Sequence, residues 1–165
     1  GLEISLLTLK TFKAALASVF TTNHLCSNFK KETREQVMAE LNAHSDRMVL
    51  VFNCKVKNAD DFKAWSKDRA AKYVYECKEE NTISYEWHIS DDGSEATLIE
   101  TFIDSDSMMV RLGNHGASPI AAEVMEQVEI TGVLCLGNAK QDAREALSAW
   151  GAIFHAHHAG FHKSN

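Results

Sequence analysis

The sequence predicts an α+β fold in which one antiparallel sheet carries its helices on one side, in the order βαββαβ. Three observations predict it. Two β-patterned runs, Thr82 to Ser90 and Glu95 to Ile103, flank Asp91-Asp92-Gly93-Ser94, and Asp-Gly between such runs is a strong hairpin signal. Further β-rich runs lie on either side of that hairpin, one from Met48 to Val56 and one from Val128 to Leu136. Between each outer run and the hairpin stands a stretch with helical patterning and a polar residue placed to cap it.

The elements follow in order. The first strand reads Met48-Val49-Leu50-Val51-Phe52-Asn53-Cys54-Lys55-Val56. Asn58-Ala59-Asp60-Asp61 then caps a helix that runs to about Glu79, with Phe62, Trp65, Ala70, Tyr73 and Cys77 on its buried side and Glu80-Asn81 as its break. In the hairpin, placing Ser90 opposite Glu95 pairs Tyr85 with Glu100, Trp87 with Leu98 and Ile83 with Phe102. Strand alternation puts all six on one face. Ser84, Glu86, His88, Thr97, Ile99 and Thr101 take the other. Asp104-Ser105-Asp106-Ser107 caps a helical region over Met108 to Gly113 that resumes from about Ser118 to Glu126. Val128 to Leu136 is the fourth strand. This order is that of a ferredoxin-like module, here residues 46–139. Residues 1–45 form an N-terminal helical extension, with helices over Leu6 to Phe20 and about Lys31 to Ala43. Residues 140–165 form a C-terminal helix, Lys140 to Trp150, and a tail.

Composition narrows the function classes. The 165 residues are 45% hydrophobic and 24% charged, which suits one domain with extensions. The formal net charge is -6 and no dense Lys/Arg patch exists, so neither nucleic acid nor an anionic membrane is an expected partner. No run approaches the roughly 18 apolar residues of a membrane span. Its nearest candidate, Leu6 to Phe20, is interrupted by Lys10 and Lys13 and reads as an amphipathic helix rather than a signal peptide. Cys26, Cys54, Cys77 and Cys135 contain no CxxC pair, and three of them fall inside strand or helix, which points to a reducing, cytoplasmic setting. The chain opens on Gly1 rather than Met, which reads as a trimmed start.

The strings Thr82-Ile83-Ser84-Tyr85-Glu86-Trp87, Ser90-Asp91-Asp92-Gly93 and Glu100-Thr101-Phe102-Ile103-Asp104-Ser105 resemble the antibiotic-biosynthesis-monooxygenase family. The tail from Gly151-Ala152 through Gly160-Phe161 is similar to the ending of some members. The resemblance spans roughly Arg47 to Phe161. It implies a dimeric α+β barrel, a homodimer whose two sheets pack face to face, with a mostly apolar cavity in each subunit. It also implies oxidation of polycyclic phenols or quinols by O₂ without a cofactor, although other branches of the superfamily degrade haem and fold does not settle function. Members often carry His-Leu in the helix after the third strand. This chain has Arg111-Leu112 there, and His115 follows one helical turn on.

The central candidate site is Tyr85 opposite Glu100 among Trp87, Leu98 and Phe102. A carboxylate among aromatics has a raised pKa, because desolvation disfavours its charge. Such a Glu100 takes a proton from a phenol, giving the electron-rich anion that reacts with O₂. Arg111 or Tyr85 then orients or stabilises the oxyanion. Phe52, Trp87, Leu98, Phe102 and His115 complete the expected substrate contacts. The competing structural reading is a Tyr85–Glu100 cross-strand hydrogen bond that satisfies two half-buried polar groups. Glu86 and His88 are expected in solvent. No metal site is expected from His155, His157, His158 and His162: no regular element points all four inward, and no acid or Cys completes a shell. No histidine fits an axial haem ligand. No phosphate loop, serine elbow or zinc-protease motif occurs.

The expected function is therefore a cofactor-independent monooxygenase-like protein acting on a small aromatic or quinol. Two alternatives stand beside it: a non-catalytic binding protein for a small apolar ligand, and a dimeric interaction module that docks a partner through the N-terminal helices.

Overall fold

The computed structural model describes residues 46–160, together with Gln36. The chain divides into two compact units, Gly1–Ala39 and Glu40–Asn165, and the second carries the sheet. The helices expected over Leu6 to Phe20 and Lys31 to Ala43 lie outside the described residues, Gln36 apart.

Strand β1 (Met48–Val56) alternates buried Met48, Leu50, Phe52 and Cys54 with less buried neighbours, as a strand with one core face must. The helical run that follows has three parts: α1 (Ala59–Trp65), a π-helical segment (Ser66–Ala71) and α2 (Lys72–Glu76). Asn58 Oδ1 caps α1 by accepting from the amides of Asp60 and Asp61. The π segment changes which side is buried. Phe62, Ser66, Ala70 and Val74, each four apart, face the core, while Trp65, Tyr73 and Cys77 are only half-buried. A wider turn with i→i+5 bonding brings residues spaced by four closer to alignment than an α-helix does. The run stops at Glu76, before the expected end at Glu79, and Lys78 then adopts φ +50°.

Strands β2 (Thr82–Ile89) and β3 (Glu95–Phe102) form the hairpin in the expected register, with Tyr85 opposite Glu100 and Trp87 opposite Leu98. One pair differs. The register shifts between Thr82 and Ser84, so Thr82, not Ile83, faces Phe102, and Ile83 is 51% exposed. The irregularity ejects one side chain from the core face at the start of the strand. At the turn Gly93 takes φ +73°, and Asp92 accepts from the Ser94 amide and from the Ser90 and Ser94 hydroxyls. A Cβ at Gly93 would stand 2.8 Å from that of Ala59.

Helix α3 (Ser105–Gly116) is capped by Asp104, which accepts from the Ser107 amide at 2.8 Å. It runs a turn beyond the expected stop at Gly113. Helix α4 (Ile120–Gln127) follows Pro119 and leads into β4 (Val128–Leu136). Helix α5 (Gln141–Ser148) comes next, then a short strand, β5 (Ile153–His155), that the sequence did not announce. The sheet order is β2-β3-β1-β4-β5, antiparallel except for the β4–β5 pair. The first four strands have the ferredoxin-like order, and β5 adds a parallel edge.

Within residues 46–160 the helices pack on one face of the sheet. Phe62, Met108, Val124 and Leu147 come from α1, α3, α4 and α5 to pack on Met48, Leu50, Phe52, Leu98 and Phe102. Among the described residues no helix is long and apolar enough to cross a membrane.

Candidate functional site

The layer between sheet and helices is not filled. A cavity of about 400 Å³ opens there, walled by Phe52 and Cys54 of β1, Tyr85 and Trp87 of β2, and Leu98 and Glu100 of β3. Met109, Arg111, Leu112 and His115 of α3 close it, with Ile120, Val124, Ile130, Leu147 and Trp150 completing an apolar lining. Seven of the eight residues anticipated for the site line this one cavity. Phe102 is the exception: it is fully buried in the core and does not reach the lining. Glu86 and His88 lie on the other side of the sheet, exposed and 3.7 Å apart.

Strand alternation aims Tyr85, Trp87, Leu98 and Glu100 into the cavity, and the aromatics interlock. Trp87 meets Phe62 edge-on at 5.2 Å and Tyr85 at 6.4 Å between centroids. The indole N–H of Trp87 donates to the Tyr85 hydroxyl oxygen at 2.9 Å. That bond fixes the phenol and leaves its proton directed away from Trp87. Trp150 stands edge-on to Phe52 at 6.4 Å and is half exposed, at the open side of the lining.

Glu100 is the buried acid of the site. Arg111 Nε donates to its Oε1 at 3.2 Å. The Tyr85–Glu100 hydrogen bond of the competing reading is not what satisfies the pair: Tyr85 meets Trp87, and Glu100 meets Arg111. Burial pushes the Glu100 pKa up to about 6, with Arg111 opposing and Glu79 adding to the rise. Burial, then the charge of Glu100, also raises the Tyr85 pKa, so its phenol stays protonated and remains a donor. Arg111 is 2% exposed and lies 5.7 Å from the Tyr85 ring centroid. Burial alone would lower its pKa; Glu100 and Glu79 outweigh that and raise it.

A second acid reaches the same guanidinium, and sequence reading missed it. Arg111 Nη1 donates to Glu79 Oε1 at 3.2 Å, Asn114 Nδ2 donates to the same oxygen at 2.8 Å, and Thr82 Oγ1 donates to Oε2 at 2.9 Å. His115, one turn beyond Arg111, lines the cavity with an imidazole that makes no side-chain hydrogen bond among the described residues. Burial, then the nearby Arg111, lowers its pKa, which keeps the ring neutral at neutral pH.

Cys54 also lines the cavity, but burial pushes its thiol up to about 11, so it behaves as a small apolar group. No cluster of three or more His, Cys, Asp or Glu suited to a metal occurs among the described residues. Chemically, the site combines an apolar slot, one acid whose pKa burial raises to about 6, one cation beside it, a phenol donor and a neutral imidazole.

No family model matches the chain, and no curated protein matches it by sequence. Solved structures do. MupZ from Pseudomonas fluorescens superimposes with a TM-score of 0.60 at 16% identity, over 72% of this chain and 95% of that one. SnoaB from Streptomyces nogalater, a cofactor-independent oxygenase, gives 0.46 at 18% identity over 58% of this chain and 95% of its own. Rv0793 from Mycobacterium tuberculosis gives 0.40 at 23% identity over 57% and 97%. The likeness to MupZ shows a shared fold, and the strand order makes that fold ferredoxin-like α+β.

Proposed function

We propose that the protein is a cofactor-independent monooxygenase-like enzyme for a small aromatic or quinol substrate, working as a homodimer. The observation that carries the reading is Glu100: a carboxylate with its pKa raised to about 6, in the wall of an apolar cavity that also presents Arg111, Tyr85 and His115. Free thiols at Cys54, Cys77 and Cys135 support a reducing compartment such as the cytoplasm.

The chemistry follows from that placement. A hydroxyarene lies against Phe52, Trp87 and Leu98 with its hydroxyl toward Glu100. Glu100 accepts the phenolic proton as general base. Its own charge is then gone, so the Arg111 guanidinium, until then paired with it, faces the new phenolate instead. Tyr85 donates a hydrogen bond to the same oxygen, and His115 steadies a second oxygen across the ring. The electron-rich anion reacts with O₂. One oxygen atom becomes the new carbonyl at the reacting ring carbon. The other leaves as water with the one hydrogen of that carbon and the phenolic proton held by Glu100, so that a phenol and O₂ give a quinone and water.

The test is oxygen consumption with a panel of naphthols, dihydroxynaphthalenes and quinols, with labelled O₂ followed into the product. Uptake with one labelled oxygen per quinone supports the reading; no uptake across the panel removes it.

One observation favours a second reading, a binding protein without turnover. Two of the donor positions on Arg111 are already held by Glu79 and Glu100 in the resting site. Native mass spectrometry of fresh protein separates the two readings, because a co-purified and chemically unchanged apolar ligand belongs to the second.

A further inference from the structure

Glu79 lies outside the cavity lining, yet its side chain is only 7% exposed. It sits in the short turn between α2 and β2, flanked by exposed Lys78 and Glu80. Lys78, at φ +50°, is the one non-glycine residue of positive φ among those described. Lysine enters that region at a cost, and such strain gathers where the surrounding contacts over-determine it. Here the turn swings Glu79 inward, and three donors from Arg111, Asn114 and Thr82 converge on its two oxygens. The same arginine faces Glu100 through its Nε. Two carboxylates therefore share one guanidinium in a buried trio.

We propose that Glu79 is a positioning residue that makes the cavity discriminate ligands by charge: by engaging Arg111 from outside the lining, it cancels the cation that an anionic ligand would need. The site then takes neutral aromatic hydroxyl compounds and turns away aromatic carboxylates of the same shape. The inference rests on the reading above that this cavity is the ligand site.

The charge count gives the direction. With both acids ionised the trio carries a net charge of one minus, and a ligand carboxylate beside Glu100 meets repulsion in a low-dielectric wall. With Glu100 protonated the trio is neutral and the repulsion falls. Arg111 from α3 and Glu79 from the turn act on Glu100, Tyr85 of β2 stands beside it, and His115 of α3 lines the same cavity. Helices α4 and α5 bring only apolar side chains to the lining.

The probes are 2-naphthol and 2-naphthoate, titrated into the full chain without oxygen at pH 5 and pH 8, for the wild type and Glu79→Gln. Glutamine suits the site: its oxygen still accepts from Arg111 and Asn114, and its amide donates to the Thr82 hydroxyl oxygen. In the wild type naphthol binds at both pH values, while naphthoate binds about tenfold or more weakly at pH 8 and recovers at pH 5. In Glu79→Gln the naphthoate deficit at pH 8 closes by roughly tenfold, with naphthol affinity held within about twofold. Equal weakening of both probes, or a wild type that binds both alike at pH 8, overturns the proposal. Should the variant not fold, a wild type that binds naphthol and naphthoate alike at pH 8 still overturns the proposal. If neither probe binds the wild type, the cavity is not an aromatic site, and the proposed function fails together with this inference. If naphthol binds without discrimination, only this inference fails.

Discussion

At the scale of single residues, Glu100 couples the site to stability. Its pKa in the fold, about 6, lies above the ordinary value of 4.5, chiefly through burial. A raised acid binds its proton more tightly in the native state, so its contribution is full below the unfolded pKa. It declines as pH rises through the folded value. From about pH 4.5 to pH 7.5 the wild type should lose on the order of 1–2 kcal/mol of unfolding free energy relative to Glu100→Gln. Urea unfolding of both proteins at the two pH values checks this. An unchanged difference would mean that Glu100 titrates alike in both states. Glu100, Tyr85 and Trp87 were legible in the sequence because one Asp-Gly turn sets a register and strand alternation does the rest. Glu79 was not. It neighbours Glu80, an identical residue left in solvent, and only the backbone turn at Lys78 and a distant arginine tell the two apart. Local pattern carries no trace of such a contact.

At the scale of elements, two positions fix how the parts join. Gly137 ends β4 at φ +116°, and a Cβ there would stand 2.5 Å from the Arg47 carbonyl oxygen. Gly137→Ala therefore meets both a forbidden backbone conformation and backbone atoms that cannot move aside. A loss of about 2–4 kcal/mol in urea unfolding is expected. Asp104 caps the helix that carries Arg111 and His115, and Asp104→Ala should cost about 1 kcal/mol in the same measurement. Strands β1 and β4 could be read from composition to the residue. The misses have physical causes. Ile83 leaves the core face at a register shift, which no alternation pattern announces. The π segment moves the buried side of α1 and α2, because a helix of different pitch buries different residues. Strand β5 has only three residues, and it forms by pairing with β4 rather than from its own propensity.

At the scale of the whole molecule, the helices cover one side of the sheet. On the other side Val49, Val51, Ile99, Leu134 and Leu136 are cross-strand neighbours, each half-buried. A sheet face of this composition suits a protein partner, and the proposed homodimer would cover it with a second copy. Light scattering should report a dimer, and Val51→Lys with Leu134→Lys should shift it to monomer with the far-ultraviolet spectrum retained. A wild-type monomer would count against the homodimer.

In the proposed reaction Glu100 removes a proton from a bound aromatic hydroxyl. The most direct measurement is the pH profile of oxygen uptake with 1,4-dihydroxynaphthalene, for the wild type and for Glu100→Gln shown to be folded by near-ultraviolet circular dichroism. Because the base works only when ionised, the wild-type kcat/KM should climb through about pH 6 and level off above it. Glu100→Gln should fall by roughly 10²–10⁴-fold and lose that inflection. A folded Glu100→Gln protein that keeps the rate and the inflection of the wild type would contradict the account.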